Sequence, residues 1–163
     1  MQLVTPSIRL CPSYVEAMQE YQEEGIHLDF DLFEDHQAIV GALLGRISPD
    51  NPDRVPESVY WLVDGDKHVG RISIRHKLNA TLLMNGGNIG YEIRPSRRRQ
   101  GNGTLMLGMA LPIARSIGLT KALLTCFDFN IGSWKIMEKN GAVLQDIVVG
   151  DDRELMRRYW IHL

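Results

Sequence analysis

The stretch RPSRRRQGNGT, residues 94–104, places four arginines and two glycines in eleven residues and then runs into the apolar segment LMLGMALPIA. Such a turn, leading from a strand into a helix, suits an anion. Its amide N–H groups have no internal partners, and they sit at the positive end of the helix dipole. Gly101 and Gly103 let the backbone approach a ligand with no Cβ in between, while Arg97, Arg98 and Arg99 add charge around the rim. Together these features suit a pyrophosphate. The spacing is neither G-x-x-x-x-G-K-[ST] nor G-x-G-x-x-G with a following acidic residue, which argues against ATP and NAD. The plainer alternative is an exposed turn with solvated arginines and glycines that only cap a bend.

The flanking periodicities place this turn between a strand and a helix. Residues 2–10 alternate loosely and predict a first strand; Ser13 and Glu16 form an S-x-x-E capping box for a helix that Gly25 ends. A second helix starts near Asp35, with Ile39, Val40, Leu43 and Leu44 as its stripe. After the loop of residues 48–57, the segments SVYWLVD, HVGRISIRH and NIGYEIRP read as an antiparallel meander, the last two joined by the connection KLNATLLMNGG. Leu105, Met109, Ile113 and Ile117 predict a helix over 104–117, bent at Pro112 and stopped by Gly118. KALLTCF reads as a buried strand, residues 130–140 as a short helix ending at Gly141, and AVLQDIVV and RELMRRYWI as two facing strands. The order β α α β β β α β α β β describes one α+β domain over 1–163, a mixed sheet flanked by helices. The strands on either side of the 104–117 helix are expected to run parallel.

Composition agrees with a single globular domain: 163 residues, 44% hydrophobic and 23% charged. A net charge of −2 argues against a nucleic-acid binder working by bulk electrostatics, and no apolar run approaches the length of a bilayer span. MQLVTPSIRL lacks the pattern of a signal peptide, so a cytoplasmic protein is expected. Cys11 and Cys126 are too few for a disulfide framework and read as free buried thiols.

The hexapeptide Arg98-Arg99-Gln100-Gly101-Asn102-Gly103 resembles the Q/R-x-x-G-x-G/A signature of the GCN5-related N-acetyltransferases (GNAT). LLTCFDFNIGSWKIMEKNGA is similar to that family's second element, a strand, N-x-x-S, then a helix ending in K-x-G. The element order matches over essentially the whole chain. More narrowly, GYEIRPS, LLTC, KNGA and RYWI resemble a bacterial subgroup of predicted acetyltransferases without an assigned substrate.

The resemblance implies the GNAT fold and acetyl-CoA as co-substrate. The amides of residues 98–104, from Arg98 to Thr104, would hold the pyrophosphate, and the pantetheine arm would lie between the strands ending at Ile93 and Cys126, which splay apart. That arm would pair with backbone at Ile93 and Arg94 and meet Asn130 and Ser133 of the N-x-x-S motif, although Asn130 also reads as a helix N-cap.

Catalysis in the family is direct attack of a neutral amine on the thioester, here with an amide near Ile93 or Arg94 as oxyanion donor. The position of the family's tyrosine acid is Met137, so Tyr91 or Tyr159 substitutes, each of which also reads as a core or sheet tyrosine, or no acid is needed, since a thiol leaves with a pKa of roughly 8.5. Glu92 is the first candidate base, with a surface ion pair as its other reading; Asp128 and His76 are further candidates that also read as a turn residue and a core histidine. Asp29, Asp31, Glu34 and Asp35 would draw a cationic amine or form a solvated acidic loop.

The expected acceptor is an amine of a small molecule, an amino sugar or a peptide or protein, with neither nucleic acid nor membrane as partner. The final strands offer a homodimer edge. Two other classes remain beside the enzyme: an acyl-CoA-binding protein that has lost catalysis, favoured by Met137, and an RNA- or protein-binding module built on residues 94–99. Net acidity and the lack of interleaved aromatics count against the module.

Overall fold

The computed structural model describes residues 1–26, 35–150 and 153–163. A four-stranded antiparallel meander runs in the order β1 (Gln2–Val4), β2 (Glu57–Asp64), β3 (Lys67–Arg75), β4 (Ile89–Ile93). A three-stranded antiparallel sheet holds β5 (Lys121–Phe127), β6 (Val143–Val149) and β7 (Leu155–His162), with β7 paired to both others. The helices are α1 (Cys11–Glu23), α2 (His36–Leu44), α3 (Ala80–Met84), α4 (Asn102–Ser116) and α5 (Ile131–Lys139). Among the described residues no helix is long and apolar enough to cross a membrane.

Alternation along the strands creates two cores. Val59, Trp61 and Val63 of β2 pack under α1 and α2 with Tyr14, Met18, Ile39 and Leu43, while Leu62, Ile72, Ile74 and Ile89 face Met106, Leu107, Ala110 and Ala114 of α4. Tyr14 stacks on Trp61 at 4.7 Å, and His68 meets both rings edge-on.

Five expectations are corrected. The first strand ends at Val4, two residues before Pro6, which has no N–H for a ladder; Ile8–Leu10 is a 3₁₀ turn. Helix α1 starts at Cys11 with Pro12 in its first turn, so Ser13 lies inside the helix, 5% exposed, and is not its cap. Instead Ser13 Oγ accepts from the His68 amide (3.0 Å). The connection after β3 contains α3, capped by Asn79, whose Oδ1 accepts from the Leu82 amide (2.9 Å). The buried face of α4 is that of Met106, Leu107, Ala110 and Ala114, because both the sheet and α5 press on it; Leu105 is 46% exposed. Lastly, the mixed sheet divides into two antiparallel ones, and β4 and β5 share no ladder.

Candidate active site

Strands β4 and β5 are bracketed together at their base. The Asn88 amide donates to Leu123 O (2.7 Å), and Asn88 Oδ1 accepts from the Leu123 amide (2.9 Å). Beyond this bracket each strand is the edge of its own sheet, leaving one backbone edge of β4 open. The Arg94 amide is committed to β3, donating to Val69 O (2.9 Å), so by strand alternation the N–H of Ile93 points to the open edge. Of the two amides expected as oxyanion donors, geometry leaves Ile93. On the wall facing α5, the Tyr91 hydroxyl donates to Ser133 O (3.1 Å) and lies 2.9 Å from Ser133 Oγ. Burial pushes the Tyr91 hydroxyl and the Cys126 thiol up from their ordinary pKa values, so both stay protonated near neutral pH.

At the end of β4 the chain turns through Pro95–Arg97, and Arg99 and Gly101 both adopt left-handed conformations, with φ of 60° and 82°. Helix α4 then begins at Asn102 without a side-chain cap, and among the described residues the amides of 99–104 make no hydrogen bond; the next amide, Leu105, donates to Gly101 O (3.0 Å). Successive free amides in such a turn form an anion-binding nest. Open space surrounds Gly101 where a Cβ would be. At Gly103 a Cβ would lie 2.4 Å from Ile136 Cδ1 on α5. The Asn102 side chain is buried and donates to Arg97 O (2.8 Å), bracing the turn, and Gln100 Nε2 donates to Ser96 O (3.1 Å). Thr104 O accepts from Asn140 Nδ2 (3.2 Å), tying α4 to α5. A groove of about 580 Å³, lined by Gly101, Thr104, Leu105, Gly108, Met109 and Lys139, runs beside the turn.

Three of the four arginines do not stand free at the rim. Arg94 pairs with Glu20 (2.7 Å), Arg97 with Asp64 (2.7 Å) and Arg98 with Glu24 (2.7 Å), and Arg98 Nε also donates to Ile93 O (3.0 Å). Arg99 alone of the four forms no ion pair or hydrogen bond among the described residues, and it is exposed.

With this cleft and turn in place, comparison with known proteins decides the family. Residues 31–143 match the family model for the acetyltransferase (GNAT) domain. The chain belongs to that family of acyltransferases. No curated protein matches the sequence. Among solved structures, the microcin C7 self-immunity acetyltransferase MccE, in complex with acetyl-CoA and AMP, superposes with a TM-score of 0.75 at 11% identity, over 99% of this chain and 91% of that one. An acetyltransferase from Salmonella typhimurium that modifies the N-terminal serine of a 50S ribosomal subunit protein gives 0.70 at 13%, over 99% and 94%. A mutant of the spermidine N-acetyltransferase SpeG from Vibrio cholerae gives 0.68 at 14%, over 99% and 95%. At these identities the likeness is one of fold.

In this GNAT domain Glu92 lies directly opposite Arg71 in the β3–β4 ladder, and the two are ion-paired: Arg71 Nε is 3.0 Å from Oε1 and Nη2 donates to Oε2 (3.3 Å). Both are about one-fifth exposed and lie on the sheet face covered by α1, beside Tyr14 and Tyr21. Arg71 Nη1 is buried and makes no hydrogen bond among the described residues. The other candidates are placed elsewhere. Asp128 pairs with Arg157 (2.6 Å); Tyr159 is fully buried and donates to Glu138 (3.0 Å); His76 Nε2 lies 2.8 Å from Ser58 Oγ. Met137 is 1% exposed in the core. Asn130 caps α5, its Oδ1 accepting from the Ser133 amide (3.1 Å), as the capping alternative had it. Asp35 caps α2 through the amides of Gln37 and Ala38, while Asp29, Asp31 and Glu34 lie outside the described residues.

Sequence reading missed Arg71 and the carboxylates Glu16, Glu20 and Glu24. The four-residue spacing of those glutamates is visible in the chain, but it reads equally as a solvated helix face.

Proposed function

We propose that this GNAT domain binds acetyl-CoA in the gap between β4 and β5 and transfers the acetyl group to a primary amine of a small molecule, an amino sugar or a peptide or protein, by direct attack in a ternary complex. The reading is carried by one observation: the open edge of β4 leads straight to a helix N-terminus with free amides. The residues present fit the ligand, since an added strand-like arm can pair with that edge and a pyrophosphate can meet the amides of 99–104.

Acetyl-CoA supplies an acyl group activated as a thioester. Arg99 and the amides around Gly101 hold the phosphates. The Ile93 N–H donates to the thioester oxygen as charge builds there. Glu92, held in place by Arg71, draws the ammonium of the acceptor and takes its proton, directly or through a water. Met137 has no proton to give the leaving thiol, whose pKa of roughly 8.5 makes a donor dispensable near neutral pH.

Calorimetric titration with acetyl-CoA tests the first half. Arg99→Glu is expected to weaken binding about tenfold by reversing the charge of the turn's cation that is unpaired among the described residues. Equal affinity in that variant would remove Arg99 from the site. Free-thiol release over a panel of amines tests the second half, with Glu92→Gln expected to lower kcat on the order of tenfold to a hundredfold. No binding at millimolar ligand by the folded protein ends this reading. Binding without thiol release from any amine would favour the acyl-CoA-binding alternative that Met137 supports.

A further inference from the structure

The phosphate turn is held from outside its own strand–helix unit. Glu16 and Glu20 of α1, and Glu24 at its C-cap, recur along one side of the helix and face it. Glu20 is the centre of the contact: Oε1 accepts from Arg94 Nε (2.7 Å) and Ser96 Oγ (3.0 Å), and Oε2 accepts from the Ser96 amide (2.9 Å). Glu16 lies 3.4 Å from Arg94 Nη2, and Glu24 accepts from Arg98 Nη1. The Glu20 and Arg94 side chains are 23% and 13% exposed, so their pair sits at the protected middle of the ladder. Burial raises the Glu20 carboxyl, but the hydrogen bonds from Ser96 and Arg94 outweigh it and hold the pKa below the ordinary value.

Two effects of opposite sign meet at Glu20. Its negative charge opposes a pyrophosphate and occupies Arg94, and by that measure the donor would bind better without it. Its three hydrogen bonds also fix Arg94 and Ser96, and thereby the path of the chain into left-handed Arg99 and Gly101. A turn already ordered binds an anion without the cost of ordering it. The charge of Glu20 is offset by Arg94, whereas among the described residues no other group bonds the amide or hydroxyl of Ser96.

Building on acetyl-CoA as the donor, we propose that Glu20 is a positioning residue for donor binding: through Arg94 and Ser96 it holds residues 94–98 so that the amides of 99–104 converge on the phosphates. Helix α1 is then part of the donor site without touching the donor.

The test compares wild type, Glu20→Gln and Glu23→Gln. Glu23 is exposed on the same helix with no ion pair among the described residues, so its change removes the same charge away from the turn. Coenzyme A is titrated calorimetrically, and KM and kcat are measured for acetyl-CoA. Glu20→Gln is expected to raise Kd and KM about tenfold with kcat at saturation within roughly twofold, and Glu23→Gln to change neither. Equal or tighter binding by a folded Glu20→Gln protein would overturn the proposal in favour of charge repulsion. So would a fall in kcat with KM unchanged. Should Glu20→Gln fail to fold, Ser96→Ala removes one of the three bonds alone; a weakening of about two- to threefold is expected, and none would overturn the proposal. Failure of wild type to bind coenzyme A is a separate result, which sinks the acetyl-CoA reading itself.

Discussion

Gly87→Ala is expected to lower stability by about 3 kcal/mol or more and the melting temperature by roughly 10 °C. Gly87 has φ +61, where an L side chain costs on the order of 1–2 kcal/mol, but the larger effect is steric. A Cβ on Gly87 would lie 2.3 Å from Leu123 O and 2.8 Å from Leu123 C, both backbone atoms of β5 that have no rotamer to escape into. The strands must move apart where Asn88 and Leu123 exchange the two hydrogen bonds that join the sheets, at about 1 kcal/mol each. Gly65→Ala is the control, since Gly65 has φ +60 with nothing within 4 Å of a built Cβ. Thermal melts of the two variants separate strain from clash. Equal losses would mean that the close approach at Leu123 relaxes freely and that this bracket does not set the base of the cleft.

The second large effect is a loss of stability in mild acid through His68. The imidazole is 1% exposed, enclosed by Tyr14 and Trp61, and neither ring nitrogen has a hydrogen-bond partner among the described residues. Burial first, then the charges of Arg94 and Arg71, lower its pKa from 6.5 to about 3. Between those values the unfolded chain binds a proton that the folded one refuses. His68 therefore leaves stability intact above pH 6.5 and erodes it as pH falls towards 3. At pH 4.5 the expected loss from this residue is about 3 kcal/mol, two pH steps at roughly 1.4 kcal/mol each. Urea unfolding at pH 7 and pH 4.5 measures it, with His68→Phe as the comparison because a phenyl ring keeps the edge-on contacts and cannot titrate. The variant is expected to lose about 3 kcal/mol less than wild type between the two pH values. Equal losses would show that other groups govern the acid limb.

The local signals in the chain decided a good deal. Alternation and helical periodicity produced the element order, and the paired motifs R-x-x-G-x-G and N-x-x-S placed the arginine- and glycine-rich turn and the capped α5 in it. Caps and turns use neighbours in the chain, so Asn130 was legible from the sequence, and so was the start of α2 at Asp35. Ser13 was misread because Pro12, one residue earlier, sets the helix start and frees the hydroxyl for the His68 amide fifty-five residues away. Gly103 read as room for a ligand, and only the fold shows that Ile136 of α5 also lies where its Cβ would be. The arginines are the clearest division. Their number and the free amides beside them follow from the sequence, but which of them remains free depends on Glu20, Glu24 and Asp64, more than thirty residues away in the chain. The same holds for Glu92, which the fold sets opposite Arg71. Short-range hydrogen bonding and hydrophobic period are written in the order of residues, whereas ion pairing answers only to distance in space, and the packing of α1 and β2 around the turn sets that distance.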